Sequence, residues 1–243
     1  MKKMTFVELK LFLRDPTAVF FGLFFPTALL LLNGLLPFSK EASEDLGGLR
    51  GIDIVTPIMV GMAIALVAIT VLPVHVAQYR ERGVLRRMAV TPFRPFLLLV
   101  AQVAVQLCAI LVSVGLVILV GWLAFDVSPP KSPLAFVLSL VLGVASLFSV
   151  GFLVAARVST AKSAQGIGSL VFFPMLFFAG VFFPVEFMPE IVQRIGDFTP
   201  LGAVVQAMRD SWTGASLEPL NIAVMIGMAL IATPAALRLF RWE

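Results

Sequence analysis

Six long apolar runs, separated by short polar stretches, set the pattern of the chain, at residues 17–37, 53–77, 94–124, 133–156, 166–184 and 219–240. Each is near the roughly 20 residues that a helix needs to cross a hydrocarbon core. None has the short alternating segments of a membrane barrel strand. The pattern predicts an all-α membrane protein with six transmembrane helices. Ahead of the first run, Phe6, Leu9 and Leu13 recur at helical spacing, with Lys3, Lys10 and Arg14 on another side. That reads as an amphipathic helix over residues 1–15 lying in the membrane surface, ended by the Asp15-Pro16 turn signal. Between the fifth and sixth runs, Ile191, Val192, Ile195 and Phe198 are spaced helically. So are Leu201, Val204, Val205, Met208 and Trp212, after a Thr199-Pro200 cap signal. Residues 185–213 therefore predict two short helices that dip into the outer leaflet or lie on it, or an ordinary amphipathic surface loop.

Composition agrees. The 243 residues are 60% hydrophobic and 13% charged, against about a quarter charged in a soluble domain. Basic residues orient the spans. The N-terminal segment, the 78–95 loop, the 157–165 loop and the C-terminus hold 13 of the 18 Lys and Arg. Positive loops stay cytoplasmic, so both termini are expected inside. The net charge of +4 then reflects topology, and nucleic acid is not an expected partner. The opening segment is interrupted by Glu8, Lys10 and Arg14 and does not read as a secretory leader.

One loop stands out. The stretch QYRERGVLRRMAVTPFRP, residues 78–95, carries Arg80, Arg82, Arg86, Arg87 and Arg94. On a helix over 80–91, Val84, Leu85, Met88 and Ala89 share one face, and four arginines cover the other. Glu81 falls toward the apolar side, with no basic residue three or four positions later. Two readings stand: arginines anchored in anionic headgroups, or a helix that docks into a cytoplasmic partner.

Catalytic chemistry is sparse. No G-x-x-x-x-G-K-[ST] phosphate loop is present, so ATP hydrolysis by this chain is not expected. His75, the only histidine, reads as an interfacial residue at the inner end of the second run. Cys108, the only cysteine, reads as a small core residue. No Cys/His set has metal-ligand spacing. The runs contain mild polar residues, among them Asn33, Thr70, Gln102, Gln106, Ser113, Ser139, Ser146, Ser149 and Ser169, but almost no charge, which argues against ion-coupled transport.

The stretch YRERGVLRRMAVTPFRPFLLLVAQ resembles the signature of the ABC-2 type permeases, the membrane subunits of a group of ABC exporters. Its glycine stands one residue after the Glu-Arg pair, a variation on the family pattern. ELKLFLRDP resembles the family's connecting helix. FFAGVFFPVEFMPEIVQRIGDFTPLGAVVQAMRD resembles its fifth span, outer re-entrant helices and proline turn, with Thr199 in place of the usual asparagine.

The resemblance, which covers nearly the whole chain, implies a single permease domain over 1–243 with no nucleotide-binding domain. It would sit in the cell membrane, dimerise, and be driven by a separate ATPase subunit that binds ATP and Mg. A homodimer is the simplest assembly; a heterodimer stays open. No cofactor is expected on this chain. The segment 79–91 would be the coupling helix, with Glu81, Arg82, Gly83, Leu85, Arg86 and Arg87 at the ATPase. Glu8, Lys10 and Arg14 of the connecting helix would join them, as would Arg157 and Lys162 of the second cytoplasmic loop. Spans two and five of such proteins flank the substrate cavity. Candidate pathway residues are Asn33, Thr70, Phe172, Phe173 and Phe177, although the phenylalanines also suit packing or lipid contact. The expected cargo is a hydrophobic or amphipathic drug, antibiotic or lipid. The alternatives are a polysaccharide or lipid-linked glycan, or a membrane-embedded hydrolase or lipid-modifying enzyme.

Overall fold

The computed structural model describes residues 2–39, 41–42, 48–84, 96–182 and 185–240. Among these residues the fold is helical apart from one isolated antiparallel bridge, Ala42 with Arg50. Six helices are long and apolar enough to cross a membrane: Pro16–Leu35, Gly51–Glu81, Leu97–Phe125, Pro133–Arg157, Ala161–Phe178 and Pro219–Leu239, here spans one to six. Span two runs on to Glu81, past the last strongly apolar residue. Span five starts at Ala161, where the Thr160 side chain accepts a hydrogen bond from the Ser163 N–H. Both ends were placed too far inward by hydropathy, because caps and turns, not apolarity, stop a helix.

The first helix, Lys2–Arg14, ends as expected. Asp15 Oδ1 accepts from the Thr17 and Ala18 amides at 3.0 Å, and Pro16 takes the first position of the next turn. Phe12 and Glu8 face the protein, whereas Phe6, Leu9 and Leu13 are exposed as an interfacial helix requires. Two outer helices, Glu190–Asp197 and Pro200–Thr213, precede span six. Thr199 does cap the second: its hydroxyl accepts from the Gly202 N–H at 3.1 Å and donates to the Gly196 carbonyl. That helix does not lie on a surface. Leu201, Val204, Val205, Met208 and Trp212 are all buried against its neighbours, chiefly spans two and four. The first outer helix keeps Ile191, Ile195 and Phe198 exposed.

Span two is the axis of the chain. Within its most apolar window 89% of residues are buried, against 22–44% for the other five spans. An arginine pins it at each end. Arg50, its N-cap, chelates Asp53 at 2.8–2.9 Å and donates to the carbonyls of Phe125 and Asp126, at the C-terminus of span three. Arg80, near its other end, donates to the carbonyls of Ala155 and Val158, at the C-terminus of span four, and lies over the Phe240 ring. The last carbonyls of a helix have no intrahelical donor and carry its negative dipole end, so a guanidinium satisfies both needs at once.

Spans one and two share a second device. Each contains a π-helical turn, Phe20–Phe24 and Leu66–Val71. Each turn closes with an i→i+5 bond, Phe25 N–H to Phe20 and Leu72 N–H to Val67, and a proline follows at once, Pro26 or Pro73. Proline has no N–H and crowds the carbonyl four residues back; widening the turn relieves that crowding. Pro73 therefore offers no donor to Ala68 or Ile69. Gly151 of span four packs on the Ala68 carbonyl, and Gly168 of span five packs on the Ile69 carbonyl, where an added Cβ would lie 2.7 Å from the oxygen.

At Gly151 the added Cβ would overlap the Ala68 carbonyl oxygen, and backbone on both sides has little room to give. Gly151→Ala is expected to cost about 1–3 kcal/mol or more by overpacking. Gly115→Ala, with open space around its Cβ position, serves as the neutral control. Thermal unfolding of both variants in one detergent tests the packing; equal midpoints would refute it.

Candidate functional site

Three consecutive residues at the basic end of span two each reach a different element. The Tyr79 hydroxyl donates to Glu8 Oε2 of the first helix. Arg80 holds the end of span four. Glu81 Oε2 accepts from the Ala161 N–H at 3.0 Å, at the positive end of the span-five helix. The span-two helix then stops: Arg82 caps it, and Gly83 has φ +63°, a left-handed turn that glycine adopts without strain. The arginine-rich loop thus leaves a hub that ties the first helix to spans two, four and five.

Of the single amphipathic helix expected over 79–91, Arg80 and Glu81 belong to span two, whose helix ends at Arg82 ahead of the left-handed Gly83. Leu85, Arg86 and Arg87 lie outside the described residues. Lys10, Arg14, Glu81, Arg82, Arg157 and Lys162 are exposed at this end. Glu8, expected at a partner surface, is 4% exposed and engaged by Tyr79. Tyr79, the only tyrosine, was not singled out; a lone phenol beside an arginine run was the available signal.

Above the hub, spans one, two and five wall a cavity of about 440 Å³. Its floor, at the basic end, carries Asp15, Thr17, His75 and Gln165; its far end is Leu29, Met62, Val181 and Phe182. Of the expected pathway residues, Thr70, Phe172 and Phe173 line it. Phe177 is exposed away from it, and Asn33 is half-buried with its amide donating to Leu29 one turn back, a bond within its own helix. His75 is not interfacial: it is buried, and its Nδ1–H donates to the Val71 carbonyl at 2.9 Å. Cys108, read as a core residue, is exposed on span three. The grouping of Asp15, His75 and Gln165 is not legible in the sequence because they lie on the turn before span one, on span two and on span five.

The other polar residues of the spans divide. Ser113 donates to Leu23, Ser139 to Ala207 and Ser149 to Ser146. Gln106 and the amide nitrogens of Gln102 and Asn221 are buried without a partner among the described residues. No group of three or more potential metal ligands occurs among them either.

This arrangement can be set beside known proteins. The profile of the ABC-2 type transporter family matches residues 2–212, from the first helix through the second outer helix. The chain belongs to the ABC-2 type transporter family. It is also 26% identical, over 148 residues, to the "Probable multidrug ABC transporter permease YbhR" of Escherichia coli K12, and equally to its counterpart in Escherichia coli O157:H7. The match covers 60% of this chain and 40% of each relative. Family and helices together make this ABC-2 chain an integral membrane protein.

Burial pushes the Glu8 carboxyl above its ordinary value, and the Tyr79 bond offsets this only in part. A carboxyl with a raised folded pKa contributes stability that is full below the unfolded pKa, about 4.3, and is lost as pH rises through the folded value. Glu8→Gln keeps an acceptor for Tyr79 and removes the titration. Its melting midpoint should therefore gain on the native chain as pH rises from about 4 to about 8. A constant difference across that range would contradict the buried carboxyl.

Proposed function

We propose that this ABC-2 chain is the permease subunit of an exporter, working as a dimer with a separate ATPase subunit that binds ATP and Mg. The hub at Tyr79, Arg80 and Glu81 carries this reading. A partner that moves the loop beyond Gly83 pulls on the first helix and on the ends of spans four and five through bonds a few ångströms long. Those spans, with span one, surround the cavity or support its walls. Lys10, Arg14, Arg82, Arg86, Arg87, Arg157 and Lys162 would make the docking face, with both termini cytoplasmic. Glu8 and Glu81 act inside the permease, holding the linkage between that face and the spans. A homodimer is the simplest assembly.

The cargo is a hydrophobic or amphipathic small molecule. The cavity, lined mainly by apolar side chains with a few polar groups at one end, has the composition of a drug-sized site. The name of the Escherichia coli relative, a multidrug permease, points the same way.

The test is capture of the tagged chain from its native membrane, with identification of co-purified proteins and an ATPase assay. A stoichiometric partner containing a phosphate loop is expected, and Arg86→Glu with Arg87→Glu should lose it while the chain keeps its melting midpoint. Recovery of a folded native chain alone, without ATPase activity, would overturn the reading and return the arginines to a headgroup anchor.

A further inference from the structure

The cavity has a chemical bias that its volume and apolar lining do not convey. Among its nineteen lining residues there is no lysine or arginine, and one carboxylate, Asp15. Two polar side chains of the lining, Thr70 and His75, have spent a donor internally, while Thr17, Gln165 and Ser169 add neutral groups without charge. The Thr70 hydroxyl donates to the Leu66 carbonyl at 2.5 Å. His75 donates through Nδ1 to Val71, which leaves Nε2 as an acceptor in the neutral ring. Asp15 accepts from the Thr17 and Ala18 amides through Oδ1 alone, so Oδ2 keeps its lone pairs. Thr70, His75 and Asp15 therefore present oxygen or nitrogen lone pairs, one of them formally negative. Above them stand five phenylalanine rings, Phe21, Phe25, Phe172, Phe173 and Phe182. Phe21, Phe173 and Phe182 are also exposed on the outside of the chain, so the cavity opens sideways between spans one and five.

A ligand that fits must supply N–H donors and positive charge at one end and apolar bulk at the other. An anion would meet a carboxylate and no cation. A neutral apolar molecule would leave the acceptors of the floor unpaired, which is costly away from water. Phenyl faces also favour a cation over an anion. We infer that this cavity binds protonated lipophilic amines, with Asp15 as the charge partner, His75 Nε2 and the Thr70 oxygen as further acceptors, and the rings holding the apolar body. This deepens the permease reading and rests on it for the step from binding to transport; the binding itself does not require the ATPase.

A matched probe pair tests it: dansylcadaverine, which ends in an ammonium group, and its N-acetyl derivative, which has the same fluorophore and linker without the charge. Both are titrated into the full chain in zwitterionic lipid discs, with the signal of empty discs subtracted. The amine should bind the native chain at least about tenfold more tightly than the acetylated probe. Asp15→Asn keeps an oxygen for the Thr17 and Ala18 amides and removes the charge. It should bring the amine close to its acetylated partner without shifting the melting midpoint. Equal binding of the two probes to the native chain, or no binding of either, would overturn the inference whether or not the variant folds. So would a folded Asp15→Asn chain that keeps the preference. None of these results touches capture of the ATPase partner, so a wrong cargo class and a wrong permease assignment fail in different experiments.

Discussion

The structure depends on burying one helix almost completely in a membrane protein and still fixing its position along its own axis. Apolar contacts alone would let span two slide, because one greasy side chain packs much like another. The two guanidinium groups prevent this. Arg50 and Arg80 stand at opposite ends of the span, and each bonds the terminal carbonyls of a neighbouring helix, span three at one end and span four at the other. These directional, charge-assisted bonds lie where the helix ends leave acceptors without donors. With the register of span two set, Glu81 meets the start of span five and Tyr79 meets Glu8.

The cavity follows from the same axis and from two prolines. Pro26 and Pro73 each follow a widened turn, and the two turns lie against one another in spans one and two. Leu66, Thr70 and Val71, which belong to one of these turns, and Phe21, which belongs to the other, all line the cavity. The widened turn also explains two glycines. Carbonyls that Pro73 cannot serve sit against Gly151 and Gly168, where only a hydrogen in place of a side chain permits the approach. Packing of spans four and five on span two and the opening beside span one are thus two consequences of one backbone irregularity.

The site was partly legible. The apolar character of span two, the arginine loop and the aromatic run of span five drew attention to the regions where the hub and the cavity lie, and Thr70, Phe172 and Phe173 line that cavity. Asn33 lies outside this cavity, and its side-chain amide satisfies itself on the carbonyl one turn back, an option that any amide in a helix has. His75 and Asp15 were passed over because each reads locally as an interface or turn residue. Their significance lies in a third element, span five, which closes the space between them. Glu8 looked like a surface charge on an amphipathic helix; only the docking of that helix on span two turns it inward.

By itself, the sequence determined the class of the protein, the number and approximate limits of its spans, the amphipathic first helix and the Thr199 cap. These depend on short-range physics: hydropathy over a window, helical period, and side chains that bond backbone within three residues. The tertiary structure decided which span is central, which arginines clamp and which stay exposed, and where polar groups gather. Five prolines fall inside the long helices, at 26, 57, 73, 174 and 234, yet only Pro26 and Pro73 follow a widened turn. That selection depends on what packs against the freed carbonyls. It is a property of neighbours distant in the chain, to which no local pattern is sensitive.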